Sequence, residues 1–393
     1  MRHKLSMIPY SCQSVSDADV DAVVRILQSE FLTQGPVVPE FESKVASYCS
    51  AQCAVAVNSA TSALHIACMA LGVQKGDWVW TTPITFVASA NCAIYCGAKI
   101  DFVDIDPQTY NMSVECLADK LAKAAVLNKL PKVIIPVHMC GCSCDMASIY
   151  ELSQRYGFKI IEDASHAIGG VYRDSLIGSC EYSEITVLSF HPAKIITAVE
   201  GGIALTNNPA LAEKLTLLRE HGITRDSERM SVHQPGESWQ YEQVALGFNY
   251  RMTDVHAALG LSQMNRLDKF VGARNAIADR YDKLLMDLPL TLPIRKEGTL
   301  SSFHLYIVRI NPDIAGVGQA ELRNFMAEAG INTGLHYIPV YRQPFYEKFG
   351  FTAGYCPEAE KYFLEAVSIP IYPALEQDQQ NLVADTMRMA MKR

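Results

Sequence analysis

No stretch of this sequence approaches the ~18 consecutive apolar residues that a membrane-spanning helix needs, so no membrane partner is expected. Nor is there a run of basic residues with interleaved aromatics. The net charge is −8, which argues against a nucleic-acid surface. Charged residues make up only 19% and hydrophobic residues 49% of the chain, a balance that excludes a disordered protein. Tandem repeats and low-complexity tracts are lacking. The opening MRHKLSMIPYS is basic but has no apolar core, so it does not read as a signal peptide.

Cysteine is not scarce, but it lacks the pairing that marks a metal knuckle. There are 12 cysteines. With no signal peptide, they are expected as free thiols in a reducing compartment, the cytoplasm. Cys140, Cys142 and Cys144 lie close to His138, but C-x-C-x-C is not a zinc spacing and no second pair accompanies it. They are read as small residues of a loop, and no metal is expected.

What the chain does have is length and alternation. Its 393 residues exceed one ordinary core, so a large α/β domain with a smaller one is expected. Short apolar strands are predicted at Ala54–Val57, Trp78–Thr81, Lys99–Val103, Lys132–Val137, Phe158–Ile161, Ile185–Phe190 and Ile203–Thr206. Helices are predicted near Thr61–Leu71, Val87–Tyr95, Val114–Lys123 and Ser148–Tyr156. Such alternation means a mainly parallel, doubly wound sheet. Before it, Ser16–Gln28 and Pro39–Tyr48 read as helices. After it come a helix over Pro209–His221 and a polar surface loop over Ser227–Trp239. A long helix over Met252–Lys269 and further helix over Arg274–Leu288 follow. The division expected is 1–255 for a large domain with its N-terminal segment, and 256–393 for a linking helix and a small α+β domain. That small domain should hold a strand at His304–Ile310, a helix at Gln319–Ala329, a strand and loop at Ile331–Pro339 and a helix at Ala359–Val367.

Three stretches carry chemistry. In Ile185–Gly202 an apolar strand runs into His191-Pro192-Ala193-Lys194. The proline stops the strand and leaves Lys194 on a turn beyond its end. A lysine there is partly desolvated, which favours the neutral amine that Schiff-base chemistry needs. Alone it would read as a solvated loop lysine. A second buried run, Phe158 to Asp163, ends in an acid at the strand's carboxyl end, where ligands of α/β sheets bind. Lys194 and Asp163 together meet the needs of pyridoxal 5'-phosphate (PLP): the lysine holds its aldehyde, and the aspartate keeps its pyridine nitrogen protonated. Third, Asn58-Ser59-Ala60-Thr61-Ser62 opens a helix, with Thr61 and Ser62 as N-cap candidates. Hydroxyls, free N–H groups and the helix dipole suit a phosphate.

The motifs NSATSALH, ITFVAS, EDASHA, SFHPAK, EGG and FNYRMTD, in this order, resemble the DegT/StrS-type sugar aminotransferases of PLP fold type I. The likeness runs from about Ile8 to the C-terminus. IPYS, FLTQGP and NSATSAL resemble the branch of that family that serves pseudaminic acid biosynthesis. The resemblance implies that Lys194 carries the cofactor and then moves the proton, with Asp163 on the ring nitrogen and Phe86 stacked on the ring. His166 would lie beside the ring, and Ala60, Thr61, Ser62 and Ser189 at the phosphate. His191, three residues from Lys194, is read as packing beside the turn. Asn249 would reach the phosphate from a neighbouring subunit, which implies a homodimer with shared active sites. Tyr10, Leu32, Thr33, His336 and Tyr337 match segments that contact the nucleotide-sugar. Val199 stands where similar proteins have a small residue, so the turn after Lys194 is expected to differ in shape. The implied reaction moves the amino group of L-glutamate, leaving 2-oxoglutarate, to C4 of a UDP-linked 4-keto-6-deoxy-N-acetyl sugar. Two alternatives stay open. One is a sibling enzyme for the D-xylo epimer or a dTDP- or GDP-linked ketosugar. The other is a PLP-binding regulatory protein without turnover.

Overall fold

The computed structural model describes residues 7–226, 228–230 and 239–392. The loop expected over Ser227–Trp239 therefore falls mostly outside the described residues. At the centre lies a seven-stranded sheet of β1 (Cys53–Val57), β2 (Trp78–Thr81), β3 (Lys99–Phe102), β4 (Val133–Ile135), β5 (Lys159–Asp163), β6 (Ile185–Ser189) and β7 (Gly202–Thr206). Their spatial order is β1-β7-β6-β5-β4-β2-β3. Strands β3, β2, β4, β5 and β6 pair in parallel, while β7 runs antiparallel to both β6 and β1. The sheet is thus mainly parallel, as expected, with one reversed strand. The reversal has a local cause: no crossover helix separates β6 from β7, so the chain turns straight back through residues 190–201. Lys194 sits on that return.

Both faces of the sheet are covered, which explains the continuous apolar runs. Alternate residues face opposite sides. Val55, Val57, Val79, Ile135 and Val187 enter one core together with α3 (Ala60–Ala70), α4 (Ala88–Tyr95) and α7 (Pro209–Arg219). Ala56, Leu188, Ile203 and Leu205 enter the other with α2 (Val37–Cys49), α8 (Asp254–Met264) and the first half of α9 (Leu267–Leu285). On that same side, Ile134 and Ile160 pack beneath α5 (Val114–Val126) and α6 (Met146–Tyr156). A separate core gathers the rest of α9, an antiparallel sheet of β8 (Leu290–Thr291), β9 (Tyr306–Ile310) and β10 (Ala366–Ile369), and the helices α10 (Gln319–Glu328) and α12 (Gln377–Ala390). Helix α9 spans both: Phe270 and Val271 pack under the large sheet, Tyr281 and Leu285 under the small one.

Four predicted elements need correction. The helix expected over Met252–Lys269 breaks between Met264 and Leu267, and the helix expected from Arg274 is the interior of α9. At the break Arg266 pairs with the buried carboxylate of Asp19, on α1 (Asp17–Leu27). Ala366 and Val367, expected to be helical, open β10, because α11 (Pro357–Glu365) ends just before them and Val367 pairs with Val308 on β9. The strand expected at Ile331–Pro339 is reduced to single bridges, Ile8 with Ile331 and Gly334 with Ser368.

Candidate active site

The parallel strands end on one edge of the sheet, and their carboxyl ends open into a cavity of about 440 Å³. Lys194, Asp163, Ala60, Thr61, Phe86, His166, Ser189, Tyr10, His336 and Tyr337 all line it. The sequence thus placed ten residues, from six separate segments, around one space. Four others lie elsewhere. Ser62 is buried and donates from Oγ to Asn58 Oδ1 at 2.6 Å. Asn249 forms a backbone bridge with Glu220. Leu32 accepts the Asp254 N–H at 3.0 Å, and Thr33 bridges to Thr253. None of these four lines the cavity of this chain.

Asp163 is the last residue of β5 and is buried. Its Oδ2 accepts from Ser89 Oγ at 2.6 Å, and its Oδ1 from the Ser165 N–H at 3.1 Å. Ser89 Oγ lies 2.7 Å from Thr85 Oγ1. Since Ser89 spends its hydrogen on the carboxylate, Thr85 donates to Ser89, and the two hydroxyls hold Asp163 in a single orientation. Ser89 was missed from the sequence. It closes the ITFVAS motif on the first turn of α4, and only the fold brings it under β5.

Lys194 follows β6 on the turn in which its N–H bonds to His191 O at 2.9 Å. Burial lowers its ammonium to about 8, against the opposing pull of Asp163. That is the direction a nucleophilic amine needs. His191 also lines the cavity, and its Nδ1 accepts the Ala193 N–H at 3.3 Å, which keeps the ring against its own turn. Val199, farther along, has φ +65° and is half exposed. This left-handed backbone is costly for a β-branched residue. The turn after Lys194 is therefore strained.

The N-cap of α3 is Ser59, whose Oγ accepts the Ser62 N–H at 3.1 Å, not Thr61 or Ser62 as the sequence suggested. The helix therefore starts earlier, and Ala60 and Thr61 occupy the first turn. N–H groups of a first turn have no intrahelical acceptor and point outward beside the positive end of the dipole. Gly202 of the EGG motif permits this arrangement: a Cβ on it would stand 2.4 Å from Ala60 N.

The opposite wall comes from the C-terminal part. Tyr337 Oη lies 3.3 Å from His166 Nε2, and His336 Nδ1 lies 2.7 Å from Ser368 Oγ. His304, another lining residue, packs its ring 4.3 Å from that of His166. Nothing around His304 in the sequence marked it. Burial, followed by the charge of Lys194, holds His336 down at about 4 and pushes His166 well below its ordinary range. These imidazoles are neutral and put no positive charge beside the amine. In either tautomer His166 Nδ1 is buried without a hydrogen-bond partner among the described residues.

A PLP molecule fits this set. A low-pKa amine, a fixed carboxylate, a first helical turn with hydroxyls of Thr61 and Ser189, the flat face of Phe86 and an unsatisfied imidazole nitrogen converge on one space. Among the described residues no cluster of three or more His, Cys, Asp or Glu is placed to hold a metal ion. Fold and site together define a PLP-dependent transferase of fold type I. Residues 13–388 match the DegT/DnrJ/EryC1/StrS aminotransferase family, and the chain belongs to it. Members of this family are PLP-dependent sugar aminotransferases. The chain is 35% identical to the spore coat polysaccharide biosynthesis protein SpsC of Bacillus subtilis, over 98% of this chain and 97% of that one. It is 36% identical to a UDP-4-amino-4,6-dideoxy-N-acetyl-beta-L-altrosamine transaminase of Campylobacter jejuni, over 97% and 96%. Helicobacter pylori PseC, an aminotransferase involved in the biosynthesis of pseudoaminic acid, superposes with a TM-score of 0.89 at 28% identity, covering 98% of this chain and 100% of that one.

Proposed function

We propose that this enzyme moves the amino group of L-glutamate to C4 of UDP-2-acetamido-2,6-dideoxy-β-L-arabino-hexos-4-ulose, in the pseudaminic acid pathway of the cytoplasm. The observation that carries the reading is the meeting of Lys194 and Asp163 in one cavity beside the first turn of α3. The names of the Campylobacter and Helicobacter relatives support the choice of sugar.

In this reading PLP supplies an electron sink when bound. Lys194 would hold it covalently through Nζ, and the same amine is placed to take up and return a proton at the substrate carbon. Its depressed pKa suits it to accept that proton near neutral pH. Asp163, held by Ser89, keeps the ring nitrogen protonated. Thr61, Ser189 and the α3 N–H groups hold the phosphate. Phe86 covers one ring face, worth ~1 kcal/mol beyond burial. Tyr10, His336 and Tyr337 face the sugar. Leu32, Thr33 and Asn249 lie off the cavity in their own chain, so we assign them to the site of the second subunit of a homodimer.

The epimer decides the test. A buried polar group left unpaired costs ~1–3 kcal/mol, so hydrogen bonds to the sugar hydroxyls and N-acetyl group separate epimers by ~10-fold or more per contact. With a panel of UDP- and dTDP-4-ketosugars, the L-arabino substrate is expected to give the highest kcat/KM and an L-altro product by NMR. Equal or better turnover of the D-xylo epimer would remove the pathway assignment and leave the aminotransferase standing.

A further inference from the structure

The turn that carries His304 into the cavity is strained. Phe303, just before it, has φ +45°. A bulky residue keeps such a left-handed backbone only where its surroundings fix it. Here several contacts do so. Ser301 Oγ accepts the Phe303 N–H at 3.1 Å, and Cys140 O accepts the His304 N–H at 2.9 Å. Ser302 Oγ donates to His166 O at 2.9 Å. Gly141 lets the turn come this close, since a Cβ on it would stand 2.4 Å from Ser302 Oγ.

The remaining holder is Arg274, buried in the first half of α9. Its Nη1 donates to Phe303 O at 3.0 Å, to His304 O at 3.3 Å and, just past β10, to Ile371 O at 3.0 Å. All three partners are carbonyl oxygens. Burial brings the guanidinium to about 10, so it stays a cation at neutral pH. A buried cation without a carboxylate is unfavourable for the fold itself, yet two of its three bonds go to the turn that presents His304. The His304 ring is buried, lines the cavity and lies 4.3 Å from the ring of His166. Its Nδ1 has no hydrogen-bond partner among the described residues. No bond at that atom orients the ring, so the backbone that Arg274 grips sets its place.

We propose that Arg274 is a positioning residue for the PLP site: by holding the strained turn at Phe303 it sets the His304 ring against His166, and so keeps His166 in place beside the cofactor ring. Tyr337 Oη, 3.3 Å from His166 Nε2, meets the same imidazole through its other nitrogen. The inference rests on PLP binding and on the placement of His166 beside the ring, and not on the sugar or the amino donor. It can therefore fail while the reaction assignment stands, and the reverse.

The test titrates the cofactor-free protein with PLP and reads the dissociation constant and the absorption band of the bound cofactor, with thermal melting alongside. His304→Ala removes one ring of the pair and should weaken PLP binding by about 3- to 10-fold. Arg274→Met should weaken it no more than that and shift the absorption band in the same direction. The double variant should bind PLP about as well as the weaker single variant, because both changes act through one contact. Where Arg274→Met does not fold, Arg274→Lys takes its place: it keeps the charge without the planar fork, and a smaller loss is expected. Unchanged PLP affinity and band in His304→Ala would overturn the proposal. So would an Arg274 variant that melts earlier yet binds PLP like the native protein, which is the mark of a purely structural residue. Additive losses in the double variant would also overturn it, since Arg274 would then act by another route.

Discussion

Lys194 and Asp163 do opposite things with charge in one cavity. The amine must lose its proton to react, and burial lowers its pKa to about 8. A group with a depressed pKa is neutral above that value and cationic below it. Uptake of PLP by the cofactor-free protein into a borohydride-fixed, non-dialysable form should therefore rise with pH and level off near 8, falling about tenfold per unit below. A profile still rising toward the ~10.4 of a solvated lysine would contradict the placement. Asp163 must keep its charge, and Ser89 and Ser165 hold it by hydrogen bonds. Asp163→Asn should lower kcat by ~10² or more while the fold survives. Thermal melting and steady-state rates check the two halves separately. A near-native rate would mean that another group protonates the ring. Both residues were legible in the sequence because each follows a buried, β-branched run that ends abruptly. Ser89 and His304 were not legible as such. Their roles depend on contacts across the sheet and between the two parts of the chain, which no local pattern encodes.

The elements that bring these residues together were read with uneven success, for a physical reason. Strands buried on both faces are continuous apolar runs, and those boundaries came within a few residues. Boundaries set by tertiary contacts did not. The break between α8 and α9 sits where Arg266 reaches Asp19, and nothing in the local run of residues marks it. The N-cap of α3 shifted to Ser59 because Gly202 lets β7 come up against Ala60. The return from β6 to β7 holds the sharpest local conflict, Val199 at φ +65°. A left-handed non-glycine residue costs ~1–3 kcal/mol, and glycine gives back ~0.5–1 kcal/mol of that through the freedom of the unfolded chain. Val199→Gly should stabilise the protein, by up to ~2 kcal/mol, seen as a higher Tm. A lower Tm would mean that the exposed valine side chain makes contacts that outweigh the strain.

For the molecule as a whole, four site residues from the sequence reading stand apart from the cavity of their own chain. Leu32 and Thr33 are fastened to the start of α8, where Asp254 also accepts the N–H groups of Gly35 and Val37 at 2.8 Å. Asn249 lies nearby in sequence, in the segment leading to that helix. If these groups serve a neighbouring subunit, inactive Lys194→Ala chains mixed with inactive Asn249→Ala chains should recover activity. One of the two sites in a mixed dimer would then have both residues intact. Mixtures no more active than their parents, with subunit exchange confirmed, would rule out shared sites.

The central claim is amino transfer to the 4-keto carbon of a UDP-sugar. It is tested most directly by supplying the PLP-loaded protein with ¹⁵N-labelled glutamate and UDP-2-acetamido-2,6-dideoxy-β-L-arabino-hexos-4-ulose, then reading the product by NMR. The account predicts ¹⁵N bonded to C4 of an L-altro amino sugar, with 2-oxoglutarate formed in equal amount. Folded, cofactor-loaded protein that transfers no ¹⁵N to this or any other ketosugar would contradict it, and would favour a PLP-binding protein without turnover.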